Sequence, residues 1–199
     1  MHVTDFRFQI LGAGGDVIER QNDVKSQSRG GLATTRRSDS AIDSEAIAAI
    51  TIGCERSLRE SGIIGALRLL NERTRYRYTG LYHVEPPMLR NVQLFDRENP
   101  LLNISGEVTP LSETYCGIVW KTNTMVRVAD ALEDAHLADH PARESVLSYC
   151  GVPVRTASGL PWGSLCHFDV RPRLLAAQES RLLEVAAPLF ARWFSDRSA

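Results

Sequence analysis

Apolar residues recur at helical spacing from residue 43 to residue 72, and this pattern predicts two consecutive helical pieces. Asp43 can cap the first piece, because its carboxylate can accept hydrogen bonds from the free amides of a first helical turn. Gly62 is expected to end that piece, and the second piece continues to about Glu72. The pattern is carried by Ala46, Ile47, Ile50, Cys54, Leu58, Ile63, Leu67 and Leu70.

The apolar period changes to two at Tyr76, which predicts a first β-hairpin. One strand covers residues 76–84, the pair Pro86-Pro87 forces the turn, and residues 88–95 form the returning strand. On the first strand, period two places on one face Tyr78, Gly80, Tyr82 and Val84.

A second hairpin is predicted from two β-rich runs, residues 146–154 and residues 164–170. They flank a turn-forming stretch that contains Ser158, Gly159 and Pro161. Between the hairpins, residues 96–110 are irregular, residues 111–121 predict a helix and residues 125–129 a short strand. Residues 130–143 are a helix-and-loop connection, and a connection of this length between two hairpins usually covers something.

The chain closes on an amphipathic helix predicted over residues 175–194. Pro188 is expected to kink or break this helix, because proline removes the hydrogen bond to the carbonyl of Glu184. Its apolar stripe consists of Leu182, Ala186, Leu189 and Trp193.

This order of elements predicts an α+β fold. An antiparallel sheet carries the terminal helices on one face, and the long connection covers a pocket on the other. The domain is expected to span residues 42–195. Residues 1–41 are predicted to be an appendage, with a hairpin over residues 5–18 and a polar linker over residues 22–41.

Composition narrows the class of protein. The chain has 199 residues, 43% of them hydrophobic, and a net charge of -1, so no bulk field attracts nucleic acid or an anionic membrane. Its longest apolar run, residues 46–54, is far shorter than the roughly 20 residues of a membrane span. The N-terminus lacks the pattern of a signal peptide. We therefore expect a cytoplasmic protein whose four cysteines are reduced thiols.

Several words of the sequence resemble the GAF domain family in their order along the chain. "TGLYHVE" is similar to the family's first strand, "VRVADA" to the strand before its long loop, and "SYCGVPV" with "GSLCHFD" to its last two strands. The resemblance covers about residues 43–194. It implies a sensor that holds a small polar ligand beneath the loops, pairs with a second copy through its terminal helices, and signals through a partner protein. It does not identify the ligand or any cofactor.

Within that family, the chain resembles the free-methionine sulfoxide reductases in layout. The word "TYCGIVWKTNTMVRVADA" is close to their helix and third strand, and Cys116 falls on one of their cysteines. The loop that carries their catalytic cysteine corresponds to residues 136–143, which contain no cysteine. Their two acidic ligand-binding positions fall on Cys166 and Phe168. A binding protein is therefore the first hypothesis, and a thiol oxidoreductase that uses Cys116 and Cys166 is the alternative. A third hypothesis is a purely structural or interaction module whose pocket is filled by side chains.

The candidate binding residues lie on the inward strand face, on the connection and on the second hairpin. Tyr78 and Tyr82 could equally be core residues, and Cys116 could be an apolar filler or a reactive thiol. The register leaves open whether Cys150 and Cys166 share a face. Two histidines four residues apart, at 136 and 140, specify too few ligands to predict a metal site. The predicted set is Tyr78, Tyr82, Glu113, Tyr115, Cys116, His140, Arg143, Tyr149 and Cys166.

Overall fold

A computed structural model describes residues 35–197 of the chain. The hairpin predicted at residues 5–18 lies outside these residues, as does most of the predicted polar linker. The helices are α1 (Thr35–Glu72), α2 (Tyr115–Thr122) and α3 (Ala177–Ser195). The strands are β1 (Tyr78–Glu85), β2 (Met88–Asp96), β3 (Val108–Pro110), β4 (Val126–Val128), β5 (Ser148–Arg155) and β6 (Pro161–Asp169).

The strands of the described region form one six-stranded sheet in the order β3-β2-β1-β6-β5-β4. Every neighbouring pair is antiparallel. The two predicted hairpins are β1–β2 and β5–β6, and they join side by side through β1 and β6. This arrangement confirms the predicted α+β fold.

Helices α1 and α3 cover one side of the sheet, which we call the helix face. Buried residues of both helices pack there against side chains such as Leu81, Val152 and Leu165. The segment between β2 and β5 covers the opposite side, which we call the connection face. A second buried cluster lies there, and it includes Val119 of α2 and Phe168 of β6.

Two helices differ from the prediction. Helix α1 begins at Thr35 rather than near Asp43. At Gly62, whose φ of 68° and ψ of -162° are not helical, it divides into two helical pieces, as predicted. Helix α3 continues through Pro188, so the predicted break does not occur. The segment at residues 130–143 contains only a short 3₁₀ turn, Ala135–Leu137, in place of a longer helix.

The apolar stripes of the terminal helices are buried by packing within one chain. Leu58, Leu182 and Leu189 are at most 5% exposed, and the Trp193 indole donates to the carbonyl of Leu58 over 3.2 Å. These three leucines are therefore buried within one chain and offer no surface for the pairing of terminal helices that the resemblance implies. None of the helices in the described region is long and apolar enough to cross a membrane.

Candidate functional site

Most of the predicted site residues come together on the connection face. Tyr78, Tyr115, Cys116, Tyr149 and Cys166 belong to its buried cluster, and the half-buried Tyr82 packs against them. On β1, Tyr78 and Tyr82 are four residues apart, so the alternation of a strand puts both on this face. Tyr149 of β5 and Cys166 of β6 point to the same face. Cys150 points to the helix face, so Cys150 and Cys166 lie on opposite sides of the sheet.

Cys166 lies at the centre of this face, between two glycines. It pairs in register with Gly80 on β1 and with Gly151 on β5. A Cβ atom at Gly80 would lie 2.5 Å from Cε2 of Tyr82, and one at Gly151 would lie 2.1 Å from the hydroxyl oxygen of Tyr149. Two phenol rings therefore lie over the glycines on either side of Cys166 and fill the space above them.

Cys116 approaches Cys166 from helix α2. Thr114 caps this helix by accepting a hydrogen bond from the amide of Gly117, which fixes Cys116 in the first turn. The sulfur of Cys116 lies 3.3 Å from the hydroxyl oxygen of Tyr149. Cys116 and Cys166 belong to the same buried cluster.

These contacts separate the two thiols chemically. Hydrogen bonding, chiefly from Cys166 and also from the Tyr149 hydroxyl, lowers the pKa of the Cys116 thiol although burial opposes the shift. Burial raises the pKa of the Cys166 thiol well above its usual value, and the neighbouring Cys116 raises it further. Cys116 is therefore the member of the pair that loses its proton first.

Three buried polar atoms in the described region have no hydrogen-bond partner: Asn91 Oδ1, the Tyr115 hydroxyl oxygen and Ser164 Oγ. Asn91 and Ser164 flank Tyr82 in one row across β2, β1 and β6. The Asn91 amide donates to Glu107 Oε2 over 3.0 Å, which leaves its oxygen free to accept. Buried polar groups in proteins are nearly always paired, so these atoms mark a place where a partner is expected.

The helix face, in contrast, pairs its buried polar groups. Asn71 Nδ2 donates to Thr79 Oγ1 over 2.8 Å, and the Thr79 hydroxyl lies 2.7 Å from Nδ1 of His167. Burial, with a contribution from the charge of Arg97, lowers the pKa of His167 to about 3. His167 is therefore neutral, and its Nδ1 and the Thr79 hydroxyl share a hydrogen bond.

The remaining predicted residues lie at the edge of the cluster. The ring centroids of His140 and Tyr115 lie 4.6 Å apart, and burial lowers the pKa of this histidine. Arg143 donates to the carbonyls of Ala131 and Leu132, so it holds the loop in place. Glu113 is exposed and does not reach the cluster. No group of three or more potential metal ligands occurs in the described region.

Two surface grooves lie away from the connection face. They have volumes of about 290 and 380 Å³, run along α1 and share Arg68 and Glu72 among their lining residues. Neither groove contains a predicted site residue.

The sequence analysis missed Asn91, Glu107 and Ser164. Ser164 could have been found, because it lies two residues before Cys166 and period two puts both on one face. Asn91 could not be placed, because an extra residue at position 92 shifts the pairing of β2 with β1. Glu107 lies in a stretch that was treated as irregular.

The comparisons with known proteins agree with this architecture. The GAF domain family matches residues 60–192. The GAF domain of a phosphoenolpyruvate-protein phosphotransferase from Acinetobacter is 13% identical, with a TM-score of 0.60 over 79% of this chain and 95% of that one. A free methionine-R-sulfoxide reductase from Neisseria meningitidis, solved with its substrate, is 18% identical, with a TM-score of 0.59 over 86% and 99%.

Among curated proteins, the chain is similar to a cyclic di-GMP phosphodiesterase of Pseudomonas aeruginosa. The two are 35% identical over 85 residues, which are 41% of this chain and only 14% of the length of that enzyme. The structural likenesses establish the fold, and the family match covers well over half of the sequence. The chain therefore belongs to the GAF domain family.

Proposed function

We propose that this protein is a regulatory module that binds a small polar ligand on the connection face. The observation that carries the proposal is the position of the unpaired buried atoms. Asn91 Oδ1, the Tyr115 hydroxyl and Ser164 Oγ all belong to residues of this one face. A ligand with hydrogen-bonding groups would satisfy atoms that the described chain leaves without partners.

Tyr82 is the side chain that such a ligand would displace. Its ring lies over Gly80 beside Cys166, it is only half-buried, and Asn91 and Ser164 flank it. Rotation of this ring would open a space about the size of a phenol above the glycine. The displaced tyrosine would then border the ligand, in keeping with its predicted place in the site.

The ligand signal would pass to a partner protein in the cytoplasm. The similar segment in the cyclic di-GMP phosphodiesterase belongs to a much longer signalling enzyme, and this supports a partner of the signalling class. Such a partner would respond to a shift between the empty and the occupied connection face.

A homodimer remains part of the proposal, although its surface differs from the one expected. The predicted stripe is buried, and Ile52 of α1, at 65% exposure, is a large apolar residue left in solvent on that helix. Analytical ultracentrifugation at micromolar concentration tests this point. A monomer that Ile52→Asp does not change would exclude a dimer through α1.

Native mass spectrometry of the purified protein tests the binding function, because a retained small molecule adds its own mass. Once the ligand is identified, calorimetry should show that Tyr82→Ala changes its dissociation constant, while the exposed Arg171→Ala does not. Circular dichroism confirms that both variants fold. Equal affinities for the wild type and a folded Tyr82→Ala would place the ligand elsewhere.

The thiol oxidoreductase is the second candidate function, and the presence of Cys116 and Cys166 in one buried cluster favours it. It would reduce a small sulfoxide at the connection face at the expense of the two thiols. Turnover of free methionine sulfoxide with a dithiol reductant, lost in Cys116→Ser, would establish this activity. No turnover by the folded wild type would exclude it for this substrate.

A further inference from the structure

Asn91 is held on the connection face with its side-chain orientation fixed. Its backbone amide donates to the carbonyl of Glu107 over 2.8 Å, and its side-chain nitrogen donates to Glu107 Oε2 over 3.0 Å. Because an ionised carboxylate can only accept hydrogen bonds, the nitrogen of the Asn91 amide must face Glu107 and the oxygen must face away. Asn91 is 6% exposed, and this buried oxygen has no partner in the described region. The ligand group that meets it must therefore be a hydrogen-bond donor.

Glu107 adds a negative charge beside this free acceptor. Its side chain is half-buried, and none of the ion pairs in the described region involves it. A carboxylate and an unpaired amide oxygen thus lie next to each other without a cation. Such a pair favours a ligand group that donates hydrogen bonds and also carries a positive charge, because charge-assisted hydrogen bonds are the stronger ones.

The basic residues of the predicted site are used by the loop that carries them. Arg143, the only arginine or lysine of the set, donates to the carbonyls of Ala131 and Leu132 over 3.1 and 2.6 Å. Nδ1 of His140 accepts from the amide of Ala142 over 3.1 Å, so this nitrogen carries no proton and the ring is neutral. Neither side chain is arranged as a partner for an anionic ligand.

The space next to this acceptor end is apolar. It lies above Gly80, where the ring of Tyr82 now rests, and two residues along a strand cover only about 7 Å. A Cβ atom at Gly80 would lie 3.2 Å from Cδ1 of Leu94, and Gly80 pairs in register with Cys166 on its other side. Leu94 and Cys166 both belong to the buried cluster of the connection face. An apolar group the size of a ring would fit there once Tyr82 turns away.

We propose that the ligand of the connection face is a small organic amine, with its ammonium group at Asn91 and Glu107 and an apolar body over Gly80. This inference rests on the proposed binding function and adds the charge and shape of the ligand. The ammonium would donate to Asn91 Oδ1 and lie against the Glu107 carboxylate. A carboxylate ligand of the same shape would be repelled by Glu107 and would leave Asn91 Oδ1 without a donor.

The test is isothermal titration calorimetry of the full chain at pH 7 with three probes that share one phenylethyl body. Phenethylamine carries a positive charge, 2-phenylethanol is neutral, and 3-phenylpropanoate carries a negative charge. We expect the dissociation constant of phenethylamine to be roughly tenfold lower than that of 2-phenylethanol, which is the size of effect that one charge-assisted hydrogen bond gives. The dissociation constant of 3-phenylpropanoate should be the highest of the three.

Glu107→Gln removes the negative charge and keeps the length of the side chain. It should raise the dissociation constant of phenethylamine roughly tenfold and leave that of 2-phenylethanol nearly unchanged. Glu113→Gln is the matched control, because it removes the same charge at an exposed position of the connection. It should change neither constant. Circular dichroism confirms that both variants fold.

The inference would be overturned if 3-phenylpropanoate bound as tightly as phenethylamine, or if phenethylamine did not bind at millimolar concentration. A preference for phenethylamine that Glu107→Gln leaves intact, or that Glu113→Gln reduces equally, would also overturn it.

Native mass spectrometry separates this result from the binding function itself. A retained acid or phosphate, lost from a folded Tyr82→Ala, would overturn the amine and support the binding function. If no small molecule were retained and none of the three probes bound, both the amine and the binding function would fail.

Discussion

The ring of Tyr149 lies so close over Gly151 that a Cβ atom at Gly151 would come within 2.1 Å of the phenol oxygen. Tyr82 covers Gly80 in the same way on β1. Glycine usually weakens a strand, because it adds backbone entropy and has no side chain to pack. Here it gives each tyrosine room to lie flat beside Cys166, so the two glycines determine the shape of the candidate site.

Gly151→Ala should therefore destabilise the protein. The new methyl group must displace the Tyr149 ring, and overpacking of this kind costs about 1–3 kcal/mol in the free energy of unfolding. Urea denaturation measures the change. The same variant should move the Tyr149 hydroxyl away from the Cys116 sulfur.

Gly53→Ala on α1 is the control for this substitution. Its Cβ would lie 3.1 Å from Cδ2 of Leu69, the end of a flexible side chain, and alanine is favoured over glycine inside a helix by about 0.5–1 kcal/mol. We expect a change near zero or slightly stabilising. Equal losses in the two variants would show that the ring over Gly151 is not the cause.

Alternation along the strands allowed much of the connection face to be predicted. Period two depends only on neighbouring residues, so Tyr78, Tyr82 and Val84 could be assigned to one face before their partner strands were known. The order of the elements then indicated the sheet, with helices on one face and the connection on the other.

The rest of the site depends on contacts between distant residues. The extra residue Val92 in β2 reverses the alternation there, and nothing in the local pattern marks it. The contact of Cys116 with Tyr149 depends on how α2 docks on β5. Helix α3 passes through Pro188 because its neighbours Ala187 and Leu189 are buried, and this packing outweighs one lost backbone hydrogen bond.

Acid should weaken the fold through His167. The pKa of this buried histidine is about 3 in the folded chain, against about 6.5 when unfolded. Above pH 6.5, His167 is neutral in both the folded and the unfolded chain. Below pH 6.5, only the unfolded chain binds a proton at this histidine, so the free energy of unfolding falls as the pH drops from 6.5 toward 3. Between pH 7 and pH 4.5 this linkage amounts to roughly 2–3 kcal/mol. Urea denaturation at several pH values measures it.

His167→Gln should remove this part of the pH dependence, although it lowers stability at neutral pH by disturbing the bond with Thr79. His136→Gln, at an exposed position, should leave the profile unchanged. If a folded His167→Gln variant lost as much stability at acidic pH as the wild type, groups other than His167 would be responsible for the loss.

The ion pair of Arg77 with Asp96 should be costly to break from one side. Arg77 donates to both carboxylate oxygens over 2.9 Å, and Asp96 is only 4% exposed. Arg77→Met would leave that carboxylate without its cation, which we expect to cost about 3 kcal/mol by thermal or urea denaturation. Arg90→Met, which breaks an exposed pair with Glu85, should cost far less, because solvent screens that pair. Similar losses in both would contradict the role of burial.

Two hydroxyls on opposite faces of the sheet should respond differently to removal. Thr79 accepts from Asn71 and lies 2.7 Å from Nδ1 of His167, so Thr79→Val leaves both of these buried partners short of a hydrogen bond. We expect a loss of about 2–3 kcal/mol. Ser164 has no hydrogen-bond partner, so Ser164→Ala gives up no bond and should change stability by less than about 1 kcal/mol in either direction.

Parallel urea denaturation of the two variants compares these costs directly. Ser164→Ala should change the stability of the ligand-free protein only slightly. It should weaken ligand binding, because the Ser164 hydroxyl would form a hydrogen bond with the ligand. Ser164→Ala as costly as Thr79→Val would mean that the Ser164 hydroxyl is satisfied within the protein. The proposal of a polar ligand at the connection face would then lose the observation that carries it.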